Sequence, residues 1–325
     1  MDFSHINFYA LSALINTFVS FFFGTFVYSQ DKKSNLNRSF ALFMFFIATY
    51  NLSIFFLIQS TSPELALIFG RGGILFAAFV PLSCLYFTLI FLDIWERYKV
   101  FVKWGVAIFS FFALAIVLPT DWLVKSVGPI SVLDYFPQMG ILYPFFLFFW
   151  IAYFVAVFTL LIVYYRGADG IKKAQIRYIL LGLTLGNIGG SCNWILAAGI
   201  PINPPYIVLS FLVFSYGYAM LRHHLFSIRM FAVEVLTFAI WFVLLVKILT
   251  VGETGGLVLY DVGIFFSVVL IGTFLIRIGV RESRQREMLA ELNAELDYLN
   301  KNLKEKVAEQ TKEIRKAYEV EKEAR

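Results

Sequence analysis

The sequence predicts an all-α polytopic membrane protein. About nine transmembrane helices, grouped as seven plus two with the N-terminus outside, lead into a cytoplasmic parallel coiled coil. Three observations carry this reading. Apolar runs of about 20 residues recur along the chain, the length a helix needs to cross the hydrocarbon core of a bilayer. Lys and Arg gather in alternate loops between those runs. The segment 281–325 contains no Gly or Pro and repeats leucine at heptad spacing.

The spans run roughly over 7–29, 39–60, 65–92, 104–119, 141–165, 177–199, 205–221, 230–251 and 261–280. The N-terminal residues Met1 to Asn7 have no Lys or Arg, so they lack the basic region of a cleavable signal peptide and the first span is expected to be retained. The loops after spans one, three, five and seven carry Lys32, Lys33, Arg38, Arg97, Lys99, Lys103, Arg166, Lys172, Lys173, Arg177, Arg222 and Arg229, whereas the opposite loops carry Lys125. That asymmetry places the N-terminus outside and the C-terminal segment in the cytoplasm. The outer loops instead hold Asp121, Asp134, Glu253 and Asp261. Three parts follow: a seven-helix bundle, 1–221; a joint and two-span hairpin, 222–280; and a cytoplasmic helix, 281–325.

At 60% hydrophobic and 15% charged residues, the composition excludes a soluble globular domain. The net charge of +5 does not indicate nucleic acid, because topology accounts for the basic loops. Cys84 and Cys192 both fall inside apolar spans and read as small buried hydrophobes, not as a disulfide framework.

In the C-terminal helix, Leu289, Leu292, Leu296, Leu299 and Leu303 step by three and four, forming an a/d seam. Val307 stands four residues beyond Leu303, a stutter that locally unwinds a supercoil, and Gln310, Ile314 and Ala317 continue the seam. Charged residues such as Glu291, Glu295, Lys301 and Lys304 fill the solvated positions. A helix so amphipathic calls for a partner, and a parallel homodimer is expected.

Ionisable and polar groups at membrane depth are costly, so each marks a candidate site. Arg71, in the run Gly70-Arg71-Gly72-Gly73, is placed to hold a carboxylate or carbonyl, with glycines permitting close approach. Its alternatives are to snorkel or to pair with Glu64. Span six sets Gly182, Gly186 and Gly190 on one stripe for helix packing, beside Asn187, Ser191, Asn193 and Trp194. Tyr50, Asn51 and Gln59 on span two, with Tyr206 and Ser210 on span seven, complete a candidate pocket in the outer half of the membrane, suited to a small amphiphilic signal. Pro81 interrupts span three and predicts a kink. Arg222, His223, His224, Arg229 and Glu234 cluster at the joint and are candidates for signal relay. Lys247 lies near the outer end of span eight with no mid-membrane carboxylate as counter-ion, which argues against a retinal Schiff base.

Two stretches resemble a known family. The segment Tyr218 to Arg229, YAMLRHHLFSIR, is similar to the joint that closes the seven-helix sensor region of many bacterial membrane histidine kinases, where an LR-x-x-LF-x-I pattern follows the seventh span. The run Val307 to Ile314, VAEQTKEI, resembles the signalling helix ahead of their dimerisation domain, with Gln310 in place of the usual Arg. The resemblance implies the membrane sensor and signal-transmitting part of a two-component histidine kinase in the bacterial cytoplasmic membrane. His5, His223 and His224 do not sit in a phosphoacceptor box, and no nucleotide-binding motif is present. The chain is therefore expected to have no catalytic residue, metal or cofactor of its own. ATP and Mg, and a response regulator as partner, are expected only through a kinase core beyond it. A receptor with another cytoplasmic output, or a transporter or channel subunit, is the alternative; the absence of internal repeats and paired broken helices argues against transport.

Overall fold

The computed structural model describes residues 8–112, 120–130 and 133–200, together with individual positions between 241 and 311. The chain divides into two compact units, Met1–Val269 and Leu270–Arg325. The first unit contains helices α1 (Phe8–Gln30), α2 (Asn35–Ile58), α3 (Pro63–Phe91), α4 (Trp95–Phe112), α5 (Tyr143–Gly167) and α6 (Gly170–Ala197), with strands β1 (Val124–Ile130) and β2 (Leu133–Met139) between α4 and α5.

The short polar loops set the helix ends. Asp31 accepts from the Lys33 amide through Oδ1 at 2.9 Å, and Ser34 then caps α2 by accepting from the Asn37 amide at 3.3 Å. Ser62 caps α3 from the Leu65 amide at 3.4 Å, with Pro63 in the first turn, where no N–H is needed. α3 ends against Asp93, whose φ of 59° turns the chain into α4. The orphan carbonyl of Phe91 there accepts from Lys172 Nζ at 2.6 Å, and the same ammonium stands 3.5 Å from the Phe91 ring centroid. Lys172 thus closes the negative end of α3 from the first turn of α6.

Packing follows from small residues and aromatics. A side chain at Gly24 on α1 would meet Met44 Cβ of α2 at 2.9 Å, so glycine is what lets these two helices lie close. Asn37 Nδ2 donates across to the Val27 carbonyl at 2.8 Å. Phe40, Phe43 and Phe87 fill the α2–α3 interface, with Phe87 stacked at 6.5 Å on Phe43 and edge-on at 5.5 Å to Phe40. Helices α4 and α5 carry exposed aromatics, among them Trp104, Phe111, Phe145 and Phe148. Such a face suits hydrocarbon and would be an aggregation site in water.

Among the described residues, α1, α2, α3, α5 and α6 are long and apolar enough to cross a membrane, which makes this a mostly helical, multi-pass membrane protein. The helix at the expected fourth span begins earlier, at Trp95 instead of residue 104, and carries Glu96, Arg97, Lys99 and Lys103 in its first turns. Trp95 anchors that amphipathic start edge-on to Tyr86, at 4.8 Å. Residues 113–119 of that expected span, and spans seven, eight and nine, lie outside the described residues apart from single helical positions.

The all-α expectation needs correction. The segment after α4 is an antiparallel hairpin in which Ser126 pairs with Gln138, Val127 with Pro137 and Gly128 with Phe136. Pro129 and Pro137 concealed it in the sequence, since proline cannot donate to a ladder. In a two-stranded ribbon each strand is an edge, and irregularities between Val124 and Ser126 and between Gly128 and Ile130 loosen the register around the prolines.

Candidate functional site: an apolar cavity beneath the hairpin

A cavity of about 100 Å³ opens between α2, α3, α5, α6 and strand β2. Its walls are Ile47, Tyr50, Asn51 and Ile54 from α2, and Gly70, Gly73, Ile74 and Ala77 from α3. Tyr143, Phe146, Trp150 and Phe154 come from α5, and Gly186, Asn187, Gly190, Asn193 and Trp194 from α6. Phe136, Pro137 and Met139 of β2 form the cap. A second recess, about 400 Å³, shares those three β2 residues and reaches Leu196 in the last turn of α6 and Gly199 just beyond it. Strand β2 is therefore a common wall between the two spaces.

Glycine shapes the α3 wall. A Cβ on Gly70 would lie 2.9 Å from Pro137 Cγ, so glycine there allows the hairpin to rest directly on the helix. Gly73 faces Ser53, with 3.6 Å between a built Cβ and Ser53 Cβ, and sets the α2–α3 separation.

The aromatic wall is tied to the interruption in α3. Pro81 has no N–H, so the carbonyl of Ala77, four residues earlier, has lost its helical donor. Trp150 Nε1 donates to that carbonyl at 3.0 Å. In a low-dielectric interior an unpaired carbonyl is expensive, and the indole supplies what the proline removed. So fixed, Trp150 packs edge-on to Trp194 at 4.5 Å and against Phe154 at 4.4 Å.

The polar content is small and one-sided. Among the described residues, no Asp, Glu, Lys, Arg or His lines the cavity. Asn51 Nδ2 donates to the Ile47 carbonyl of its own helix at 2.8 Å, and Asn187 Nδ2 donates to Leu183 in the same way at 2.8 Å. Asn51 is 1% exposed, and its buried Oδ1 has no hydrogen-bond partner among the described residues.

Five of the residues expected at a pocket meet here: Tyr50, Asn51, Asn187, Asn193 and Trp194. Three others do not line it. Arg71 turns to the hairpin, where Nη2 donates to the Val124 carbonyl at 3.3 Å, because β1 offers an acceptor close to α3. Gln59 sits at the C-terminal end of α2, buried, and its Nε2 has no partner among the described residues. Ser191 spends its hydroxyl on the Asn187 carbonyl at 2.6 Å. Tyr206, Ser210, Arg222, His223, His224, Arg229 and Glu234 lie outside the described residues.

Sequence reasoning missed Trp150, the α5 aromatics and the β2 cap. A usable signal existed for Trp150, since Pro81 in a membrane helix requires a donor for residue 77 from elsewhere. Nothing in the sequence identified β2 as a wall, because its prolines hid the strand.

The family model described as the N-terminal seven-transmembrane region of histidine kinases matches residues 12–229. That is 218 of 325 residues, and the chain belongs to this family. The match ends at Arg229, the last residue of the YAMLRHHLFSIR stretch. No curated protein and no solved structure matches the chain.

Proposed function

We propose that this chain is the sensing and signal-transmitting part of a two-component histidine kinase that binds a small amphiphilic molecule in the cavity beneath the hairpin. The observation that carries the reading is the cavity itself. It is an apolar space inside the region that matches the sensor family, and it gathers five residues singled out for ligand contact. The ligand biases one arrangement of the bundle, and contributes only its difference in affinity between two states. Nine spans with the N-terminus outside place the hairpin on the external face and the C-terminal helix in the cytoplasm.

The relay is a stalk formed by two copies. In the second unit Leu289, Leu292, Leu296, Leu299, Leu303 and Val307 are helical and each at least half exposed in the single chain. Heptad spacing makes a second copy the occupant of that face, in parallel register, with the stutter before Val307 as the compliant point. Ile314 and Ala317, which continue the seam, lie outside the described residues.

Cysteine cross-linking of the chain in lipid nanodiscs, with Cys84 and Cys192 replaced by alanine, tests the stalk. Leu292→Cys and Leu299→Cys are expected to form disulfides between copies, while Ala294→Cys on the solvated face does not. Equal yields at positions 292 and 294 would remove the paired stalk from the account.

A further inference from the structure

We propose that the outer groove between α1 and α2 seats an acyl chain of an anionic phospholipid from the leaflet beside the α1–α2 loop, with Arg38, Lys32 and Lys33 holding the phosphate. Among the described residues, this groove shares no lining residue with the cavity beneath the hairpin.

Shape favours a chain. The groove has a volume of about 320 Å³ and is opened by small residues, since a Cβ on Gly24 would lie 3.5 Å from the Ala41 carbonyl oxygen. Phe21 and Tyr28 of α1 and Phe45 of α2 stand beside them, and all three are exposed. Thr25 spends its hydroxyl on the Phe21 carbonyl at 2.8 Å, so the lining offers little to a polar occupant. Tyr28 and Arg38 lie near the helix ends, and Phe21 and Phe45 two turns deeper. The groove therefore runs about 10 Å into the hydrocarbon.

Charge selects the headgroup. Arg38 is a lining residue, and its Nε donates to the Lys32 carbonyl at 2.6 Å, which holds the guanidinium at the mouth. The Lys32 ammonium stands 6.0 Å from the Tyr28 ring centroid, above the same mouth, and Lys33 follows it in the exposed loop. The nearby carboxylate, Asp31, is already accepting from the Lys33 and Ser34 amides at 2.9 and 3.3 Å. Three cations around one engaged carboxylate attract a phosphate that keeps its negative charge, and basic residues at a membrane edge favour anionic over zwitterionic lipids.

The same cations disfavour a second copy as the occupant. Two chains inserted in the same direction and packed through this groove would bring Lys32, Lys33 and Arg38 against their own counterparts at equal depth, and like charges so placed repel. A lipid brings the opposite charge and an apolar tail together.

Phosphatidylglycerol and phosphatidylcholine carrying the same diazirine-bearing chain, each at low mole fraction in phosphatidylcholine nanodiscs holding the full chain, supply the test. Photo-adducts are mapped by peptide mass spectrometry on residues 21–45, with the exposed Trp104 and Phe111 face of α4 as the baseline for passing lipid. Relative to that baseline, the anionic lipid is expected to label 21–45 about tenfold more than the zwitterionic one. Replacing Lys32 and Lys33 together by glutamine, in an exposed loop, is expected to remove most of that preference. Ala41→Phe, which fills the groove, is expected to bring labelling by both lipids to the baseline. Arg166→Gln with Arg177→Gln removes two exposed cations flanking the turn whose Lys172 reaches the Phe91 carbonyl, at the same membrane edge, and is expected to keep the preference. Equal labelling by the two lipids, or a preference lost equally in the arginine pair, overturns the proposal in favour of diffuse attraction. Displacement of the adducts by soluble glycerol phosphate overturns it in favour of a free anion. Baseline labelling of the parent chain, with a dimer that Ala41→Phe disperses, overturns it in favour of a second copy.

Discussion

Gly140→Ala is expected to unseat the hairpin and to lower the stability of the bundle by about 3 kcal/mol, the upper part of the range for overpacking. A Cβ at this position would lie 2.5 Å from the Asp121 carbonyl oxygen and closer still to the Trp122 carbonyl. These are backbone atoms, so no side chain can swing away. The same few atoms hold the junction between β2 and α5. The Gly140 amide donates to the Leu123 carbonyl at 2.9 Å, and the Leu142 amide donates to the Trp122 carbonyl at 2.9 Å. Moving either strand to admit a methyl group breaks one or both bonds and lifts β2 from the cavity. Denaturant unfolding in nanodiscs, with proteolysis across 121–139, provides the readout. Gly167→Ala is the control, because a Cβ there meets nothing within 4 Å, and it is expected to unfold with the parent chain. A Gly140→Ala protein as stable and as protease-resistant as the parent would show that the hairpin is not seated as described.

The second large effect is expected at Trp150. Trp150→Phe keeps an aromatic ring against Trp194 and Phe154 but removes the donor to Ala77, leaving a carbonyl unpaired in the interior. The expected cost is about 1–3 kcal/mol. Pro81→Ala restores an N–H four residues beyond Ala77, and with it the ordinary helical partner. The two changes act on one acceptor, so they are expected to be strongly non-additive. Trp150→Phe should be well tolerated once residue 81 is alanine. Additive costs in the double-mutant cycle would mean that Pro81 and Trp150 do not share the carbonyl. The cycle also bears on signalling, since it joins the interruption of α3 to the cavity wall by one hydrogen bond.

Much of this architecture is legible in the sequence, for simple reasons. A membrane leaves a helix no option but to satisfy its own backbone, so an apolar run of sufficient length declares itself. The α1, α2, α3, α5 and α6 spans agree with their expected positions to within several residues. The start of α4 was less legible. Glu96, Arg97, Lys99 and Lys103 shorten any apolar window, although a helix at the interface continues through them. The hairpin was illegible because its prolines contradict a central strand and say little about a two-stranded edge.

The site divides along a similar line. Asn51, Asn187 and Trp194 were found because polar and aromatic residues within an apolar helix stand out against their surroundings. Arg71 stood out even more, and for a different reason. It anchors β1 through the Val124 carbonyl, a partner 53 residues away that no local pattern reveals. Trp150 was concealed among the α5 aromatics. Only its geometry against Ala77 separates it from Phe148 and Phe149, which are exposed on the outer surface.

The central proposal is that filling the cavity changes how two stalks pair. It is tested most directly by cross-linking at Leu292→Cys in nanodiscs, comparing the parent cavity with one occupied from within by Ile74→Trp. Ile74 lines the α3 wall, and an indole there takes up space that a ligand would use. Coupling of ordinary strength, roughly 1–3 kcal/mol, changes an equilibrium by fivefold or more. The account predicts a change of about that size, in either direction, in the disulfide formed between copies. The same disulfide yield from both proteins, with each folded and inserted, would contradict it.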